Sequence, residues 1–480
     1  MVFSTYIFIF YFLPLVLAIY YAIQWAPAAF GLAPEFASRA RNVWLLLASY
    51  VFYGWWNPWF IFLMFFVTAA NYACGLIIAH PGASERRRFW GVTAAVVVSL
   101  GTLGFFKYFV FFQTNFNHVL HLVGGRGTPV LQILLPMGIS FYVFQALSYS
   151  IDVYRRHAPP ARSLSDFACY IALYPQLVAG PIVRYNTVAA QLVARSHTFE
   201  KFASGAALFV LGLARKVLLA NSLGEAADAA FDAEALTAFD AWFGVTAYAF
   251  QIYFDFSGYS DMAIGLGRMI GFEFMKNFDA PYHADSITDF WRRWHISLST
   301  FLRDYLYIPL GGNRRGPRRT YVNLSIVMLL GGLWHGADWT FVLWGAYHGG
   351  LLAFERWLGK KSPYDFLPYP ARAALTFVLV LFSWVLFRAE SLDAALRYFG
   401  FMFGGSGGAE SAMLLPAQLY APGTILLMAL GAVLVTRPLQ AYDWTQRLTW
   451  PKAVALGPVF GVSLMAMFAQ AFNPFLYFQF

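Results

Sequence analysis

Charge is scarce in this chain: Asp, Glu, Lys and Arg make up only 12% of its 480 residues, against 59% hydrophobic and 20% aromatic. So few polar side chains cannot cover a protein's surface, so a string of water-soluble domains is excluded and lipid must be much of the solvent. Cysteine is scarcer still. Cys74 and Cys169 fall in apolar runs with no ligand spacing between them, which argues against a disulfide framework or a zinc site. The apolar run from Val2 to Gln24 has no basic region ahead of it and no small-residue cleavage site, so it reads as a retained spanning helix rather than a signal peptide. No Gly-x-Ser-x-Gly elbow is followed by an acid and a histidine in the order a serine acyl-enzyme of that type needs, and there is no His-Glu-x-x-His metal motif. The glycine-rich stretch Gly404-Gly405-Ser406-Gly407-Gly408 lacks the Lys-Ser/Thr of a phosphate-binding loop and reads as a connector. No internal repeat is apparent, which weakens an inverted-repeat transporter.

What charge there is has a pattern. The net charge is +9, and the positive residues cluster between apolar runs: Arg39 and Arg41, Arg86-Arg87-Arg88, Arg155-Arg156, and Arg314-Arg315 with Arg318-Arg319. Basic clusters in short loops mark the cytoplasmic side, and this placement makes nucleic acid a poor partner. The intervening runs then alternate consistently, with the N-terminus and the turn Gly54-Trp55-Trp56-Asn57-Pro58 outside. Spans are expected near Phe3–Trp25, Asn42–Tyr53, Trp59–His80 and Phe89–Phe112, then from Pro136-Met137-Gly138 to Arg155. Others follow near Phe202–Leu219, Trp242–Ile270, Tyr321–Trp334, Trp339–Trp357, Leu367–Phe387, Pro422–Val435 and Val454–Phe472. The total is roughly eleven, in an all-α multi-pass bundle. The stretch Phe167 to Tyr185 is interrupted by Pro175, Gly180 and Pro181, which predicts a re-entrant or kinked helix.

Ionisable groups inside such a chain are functional hypotheses by default. Gln251, Asp255 and Tyr259 share one helical face, with Asp261 on another, and Arg292 or Arg293 is the expected partner of Asp255. The run Asp289-Phe290-Trp291-Arg292-Arg293-Trp294-His295 sets charges among aromatics and reads as an interfacial amphipathic helix capped by Ser286 or Thr288. The basic loop Gly311 to Arg319 reads as topogenic, with a docking patch for donor phosphates as its alternative. A second histidine stands in Trp334-His335-Gly336-Ala337-Asp338, where the glycine is expected to leave room for a substrate. His348 reads as structural.

These same stretches resemble the membrane-bound O-acyltransferase family, in its bacterial polysaccharide-acetylating branch. They are joined by Leu135 to Tyr142, Gln176 to Ile182, Phe250 to Met262, Phe290 to Gly312, Gly331 to His348 and Pro474 to Phe480. The resemblance covers nearly the whole of residues 1–480 as one integral-membrane domain, densest at about 135–349 between N-terminal helices 1–130 and C-terminal helices 367–480. It implies a bacterial inner-membrane O-acyltransferase with its N-terminus in the periplasm. Cytoplasmic acetyl-CoA would be the donor substrate, with no tightly bound cofactor. A periplasmic serine-hydrolase-type (SGNH-like) partner would receive the acetyl group for an exported polysaccharide such as alginate, cellulose or peptidoglycan. His335 is then the expected general base and His295 its support, with Trp334, Asp255, Arg292, Arg293, Tyr259 and Asp338 as further candidates. Two other enzyme readings, a D-alanyl transferase and a lipid or protein acyltransferase with a long-chain donor, compete with this one. Outside enzymology, a transporter of an acylated carrier competes.

The charge pattern makes a direct prediction. A cysteine at Arg315 should be shielded from a membrane-impermeant thiol reagent added outside intact cells, and labelling from outside would reverse the topology.

Overall fold

A computed structural model describes residues 1–30, 34–359, 362–405, 417 and 419–470. The C-terminal motif Pro474 to Phe480 and most of the glycine-rich connector lie outside them. The described residues form helices, turns and extended linkers, with no strand. They cluster into two compact units: Met1–Ala206 with Ala263–Met275, and Ala207–Met262 with Lys276–Phe480. Among the described residues, six helices have the length and apolarity to cross a membrane: Ile7–Ala26, Phe60–Ala79, Glu85–Leu122, Phe199–Phe231, Tyr369–Arg388 and Trp450–Ala469. Other long helices, among them Ala238–Met269 and Gly316–His335, carry further polar residues. This is a multi-pass, all-helical membrane protein.

In the first unit, polar side chains do the work that water does elsewhere. Asn71 of helix Phe60–Ala79 donates to Ser99 at 2.9 Å and accepts from Ser150 at 2.8 Å, tying three helices together at a fully buried point. The interruption predicted after Phe167 is real. Short helices Leu164–Ala172 and Tyr174–Leu177 give way to extended backbone, and helix Tyr185–Val193 resumes the chain. Irregular backbone is tolerated at such depth only if protein satisfies it. Here the Tyr170 hydroxyl donates to the Val183 carbonyl at 2.9 Å, and Ser49 and Ser148 accept from the Tyr174 and Tyr185 amides. Gly138 opens helix Ile139–Tyr154 with φ 69°, and a Cβ there would lie 2.7 Å from the Leu177 carbonyl oxygen.

Two boundaries differ from expectation. Arg39 and Arg41 lie within helix Pro34–Gly54 rather than in a loop. The polar stretch after Phe112 stays helical to Leu122, because Gln113 and Asn117, one turn apart, bind the returning segment. Gln113 donates to the Pro129 carbonyl at 2.9 Å, and Asn117 to that of Thr128 at 2.7 Å.

In the second unit, helix Ala238–Met269 meets the π-helical turn Arg215–Ala220. Gly212 and Gly258 face each other there, each so close to the other's carbonyl oxygen that a Cβ would come within 2.7 Å of it. Neighbouring residues of the π turn serve different carboxylates: Arg215 binds Asp261 at 2.6 Å, and Lys216 pairs with Asp255. The Asp255 partner is therefore Lys216 and neither Arg292 nor Arg293. Arg292 is exposed, and Arg293 binds Asp289, four residues back on its own helix, at 2.7 Å. Spacing along one helix shows which face a carboxylate occupies but not which helix comes to meet it.

Lys216 and Asp255 are 1% and 2% exposed, so stranding either charge is costly, on the order of 3–5 kcal/mol. Asp255→Asn should sharply reduce the amount of folded protein while leaving activity in what remains. Pairing it with Lys216→Met should recover abundance. Full abundance with activity abolished would instead make Asp255 part of the chemistry.

Candidate active site

Helices Gly316–His335 and Trp339–Trp357 form a hairpin whose arms touch backbone to backbone. A Cβ on Gly332 would lie 2.2 Å from the Phe341 carbonyl oxygen, and one on Gly345 would lie 2.4 Å from that of Met328. Small residues at a crossing let van der Waals packing replace the missing hydrophobic drive in lipid. Asp338 caps the second arm, accepting from the Thr340 amide at 2.9 Å, so its carboxylate is engaged in the turn. Gly336 also has a packing role. A Cβ there would sit 2.1 Å from the Phe341 ring, so the glycine makes room for Phe341 and not for a substrate.

This hairpin buries His335, 4% exposed at the end of its helix, among aromatic rings. Trp334, Trp344 and Phe387 stand 5.1, 5.1 and 5.0 Å from it, all edge-on. His348, one turn beyond Trp344, accepts a hydrogen bond from the Trp291 indole through Nδ1 at 3.3 Å, and its buried Nε2 has no partner among the described residues. Trp291, Trp344 and His348 thus pack together as one aromatic group, which residue order alone did not assemble. The spacing of Trp344 and His348, four residues apart, was the available signal.

The third histidine is held differently. Helix Ile287–Arg293 starts at Ser286, whose side chain accepts from the Asp289 amide; Thr288 instead donates its hydroxyl to Glu355. Glu355 also accepts from the Ile287 and Thr288 amides at 2.7 and 2.9 Å, a buried carboxylate at the positive end of the helix. After Trp294 the chain turns through His295 in the left-handed conformation, φ 45°, uncommon for a residue with a side chain. His295 caps helix Ile296–Leu302: its Nδ1 accepts from the Leu298 amide at 3.4 Å. Asn277 secures the same turn by accepting from the Ser297 amide and hydroxyl at 3.1 and 2.9 Å. Burial pushes the His295 imidazole down to about 3, so the ring is neutral, with Nε2 buried and unpartnered among the described residues.

The rings of His295 and His335 do not touch. Trp334 lies between them, 5.9 Å from one and 5.1 Å from the other. His335 also borders a cavity of about 140 Å³, walled by Trp291, Leu298, Leu302, Met328, Gly331 and Trp344. Of the expected site residues, His335, Trp334 and His295 are thus gathered in one aromatic cluster. Asp255 and Tyr259 sit buried on helix Ala238–Met269, Asp255 in its ion pair with Lys216. Arg292, Arg293 and Asp338 do not line the cavity. Among the described residues no group of three His, Cys, Asp or Glu is placed to hold a metal ion.

The arrangement offers an imidazole beside a small apolar chamber, which suits proton removal from a hydroxyl next to an acyl group. Comparison with known proteins shows the family. Residues 156–389 match the membrane-bound O-acyltransferase family. The chain is 45% identical to a probable alginate O-acetylase of Azotobacter vinelandii, over the whole of both chains. It is 49% identical to that of Pseudomonas aeruginosa, over 84% of this chain and 75% of that one. Over its full length it is 34% identical to a peptidoglycan O-acetyltransferase of Helicobacter pylori, covering 98% of that chain. The protein belongs to the membrane-bound O-acyltransferase family and is an O-acyltransferase.

Proposed function

We propose that this protein carries an acetyl group from cytoplasmic acetyl-CoA through the bacterial inner membrane for the O-acetylation of an exported polysaccharide, of the alginate type its relatives are named for. The observation that carries this reading is the size of the chamber at His335. At about 140 Å³ it resembles cavities of roughly 150 Å³ that take up a molecule such as benzene, enough for a short acyl group and too little for a long chain. In this reading the N-terminus is periplasmic and the arginine clusters face the donor side. The receiving hydroxyl belongs to a periplasmic serine-hydrolase-type partner.

The chemistry follows from the parts. His335 takes the proton from the acceptor hydroxyl as its oxygen attacks the thioester carbonyl carbon. The carbon–sulfur bond then breaks, and the departing thiolate recovers the proton from the imidazolium, leaving an ester and a thiol. His295 acts as a positioning residue, because the helix it caps supplies Leu298 and Leu302 to the chamber wall. Its ring also packs against Trp334.

A positioned general base typically contributes about 10²–10⁴-fold in rate. His335→Gln should therefore insert and purify normally yet lose acetyl transfer by that factor; near wild-type transfer would make His335 structural. For His295 two substitutions separate the roles. Asn both tolerates the left-handed conformation and caps helices, whereas Ala does neither well. His295→Asn should keep clearly more activity than His295→Ala, and equal loss would place the ring itself in the reaction.

A further inference from the structure

The first unit contains a cationic cluster that acyl transfer does not use. Arg41, on helix Pro34–Gly54, is 7% exposed. Its Nε is buried without a hydrogen-bond partner, and no carboxylate among the described residues pairs with its guanidinium. Close to it stand Arg195 and His197, from the linker ahead of Phe199, and Tyr20 of the first helix.

The geometry of that linker is well defined. Arg195 donates to Asn42 Oδ1 through Nη1 at 2.9 Å and to the Tyr20 hydroxyl through Nε at 3.2 Å, with its guanidinium 4.4 Å above the Phe272 ring. Its Nη2 is buried without a partner among the described residues. Tyr20 gives its own hydrogen to the Ile270 carbonyl at 2.7 Å. The Tyr20 oxygen therefore accepts from His197 Nε2, 2.8 Å away, which fixes that nitrogen as a donor. Asp166, the acid beside this network, is already committed: Asn42 donates to it at 2.6 Å and Arg162 pairs with it at 3.0 Å. Burial first, then the charges of Arg41, Arg195 and Lys201, push the His197 imidazole down to about 4, so it adds a dipole rather than a third charge.

Two guanidinium groups that repel each other, each with a buried N–H left over, are unfavourable unless an anion completes them. A planar guanidinium fork matches the oxygens of a phosphate and presents two donors to it. We propose that Arg41 and Arg195 form a binding site for a phosphate group, supplied either by a phospholipid headgroup or by a soluble phosphate ester. Arg195 is held in place by Asn42 and Tyr20, whereas Arg41 makes no hydrogen bond to a described residue and is the residue the ligand secures. The site stands independently of the acyl-transfer reading, since none of its residues belongs to the His335 cluster.

The test uses the full-length protein in uncharged detergent, following thermal unfolding with two probes. One is inorganic phosphate against chloride at equal ionic strength; the other is phosphatidylglycerol against monoolein in mixed micelles. One probe should raise the unfolding temperature of the wild type, and Arg41→Gln should weaken its apparent affinity at least tenfold. Without probe, Arg41→Gln should unfold at or above the wild-type temperature, because it removes an uncompensated buried charge. Arg41→Lys, which keeps the charge but loses the fork, should fall between the two and serves if the glutamine variant does not fold. A response to inorganic phosphate assigns a soluble ester, and one confined to phosphatidylglycerol assigns the headgroup. A wild type unmoved by both probes, or variants that respond as the wild type does, would overturn the proposal.

Discussion

A hydrocarbon solvent offers no hydrogen bonds, so each polar group carried into it must find its partner inside the protein. The rest of this structure follows from that constraint. The broken segment between Leu164 and Val193 exists only because hydroxyls of Tyr170, Ser49 and Ser148 reach its backbone. Helices are joined through Asn71, through Lys216 with Asp255, and through Arg215 with Asp261. Where partners are absent, the close approach of glycine-lined helices takes over, as at Gly212 with Gly258 and along the hairpin at Gly332 and Gly345.

The same constraint shapes the site. Imidazoles survive in this setting because aromatic edges surround them and because the neutral ring needs few partners. His335 sits among Trp334, Trp344 and Phe387, with one face turned to a small chamber. His295 is tied into backbone capping, and His348 into an indole hydrogen bond. Three residues of one type thus have three kinds of attachment, and only His335 borders the chamber.

Much of this was legible beforehand, for physical reasons. Apolar runs and basic clusters report directly on lipid, so the multi-pass helical class, the break after Phe167 and the Ser286 cap could all be read from residue order. His335 and His295 were singled out because imidazoles amid tryptophan are rare in such a chain, and the structure places both beside Trp334. What could not be read was distance in space. Lys216 is 39 positions from Asp255 and looks like the tail of an apolar span, while Arg292 and Arg293 looked the better partners only by their chemistry. Glu355 and Asn277 organise the His295 turn from elsewhere in the chain, and no local pattern marks them. Gly336 was assigned the wrong neighbour for the same reason: Phe341 fills the space expected for a substrate.

The Lys216–Asp255 pair also bears on how the chain enters the membrane during synthesis. Lys216 emerges from the ribosome beside Arg215 in the helix Phe199–Phe231, 39 residues ahead of its counter-charge Asp255. A lone lysine or aspartate at the centre of a spanning helix costs about 2.5–3.5 kcal/mol on insertion scales. Joined as an ion pair, Lys216 and Asp255 spare each other that cost once both helices are in place. Correct placement of the first helix in the membrane therefore depends on a residue made 39 positions later.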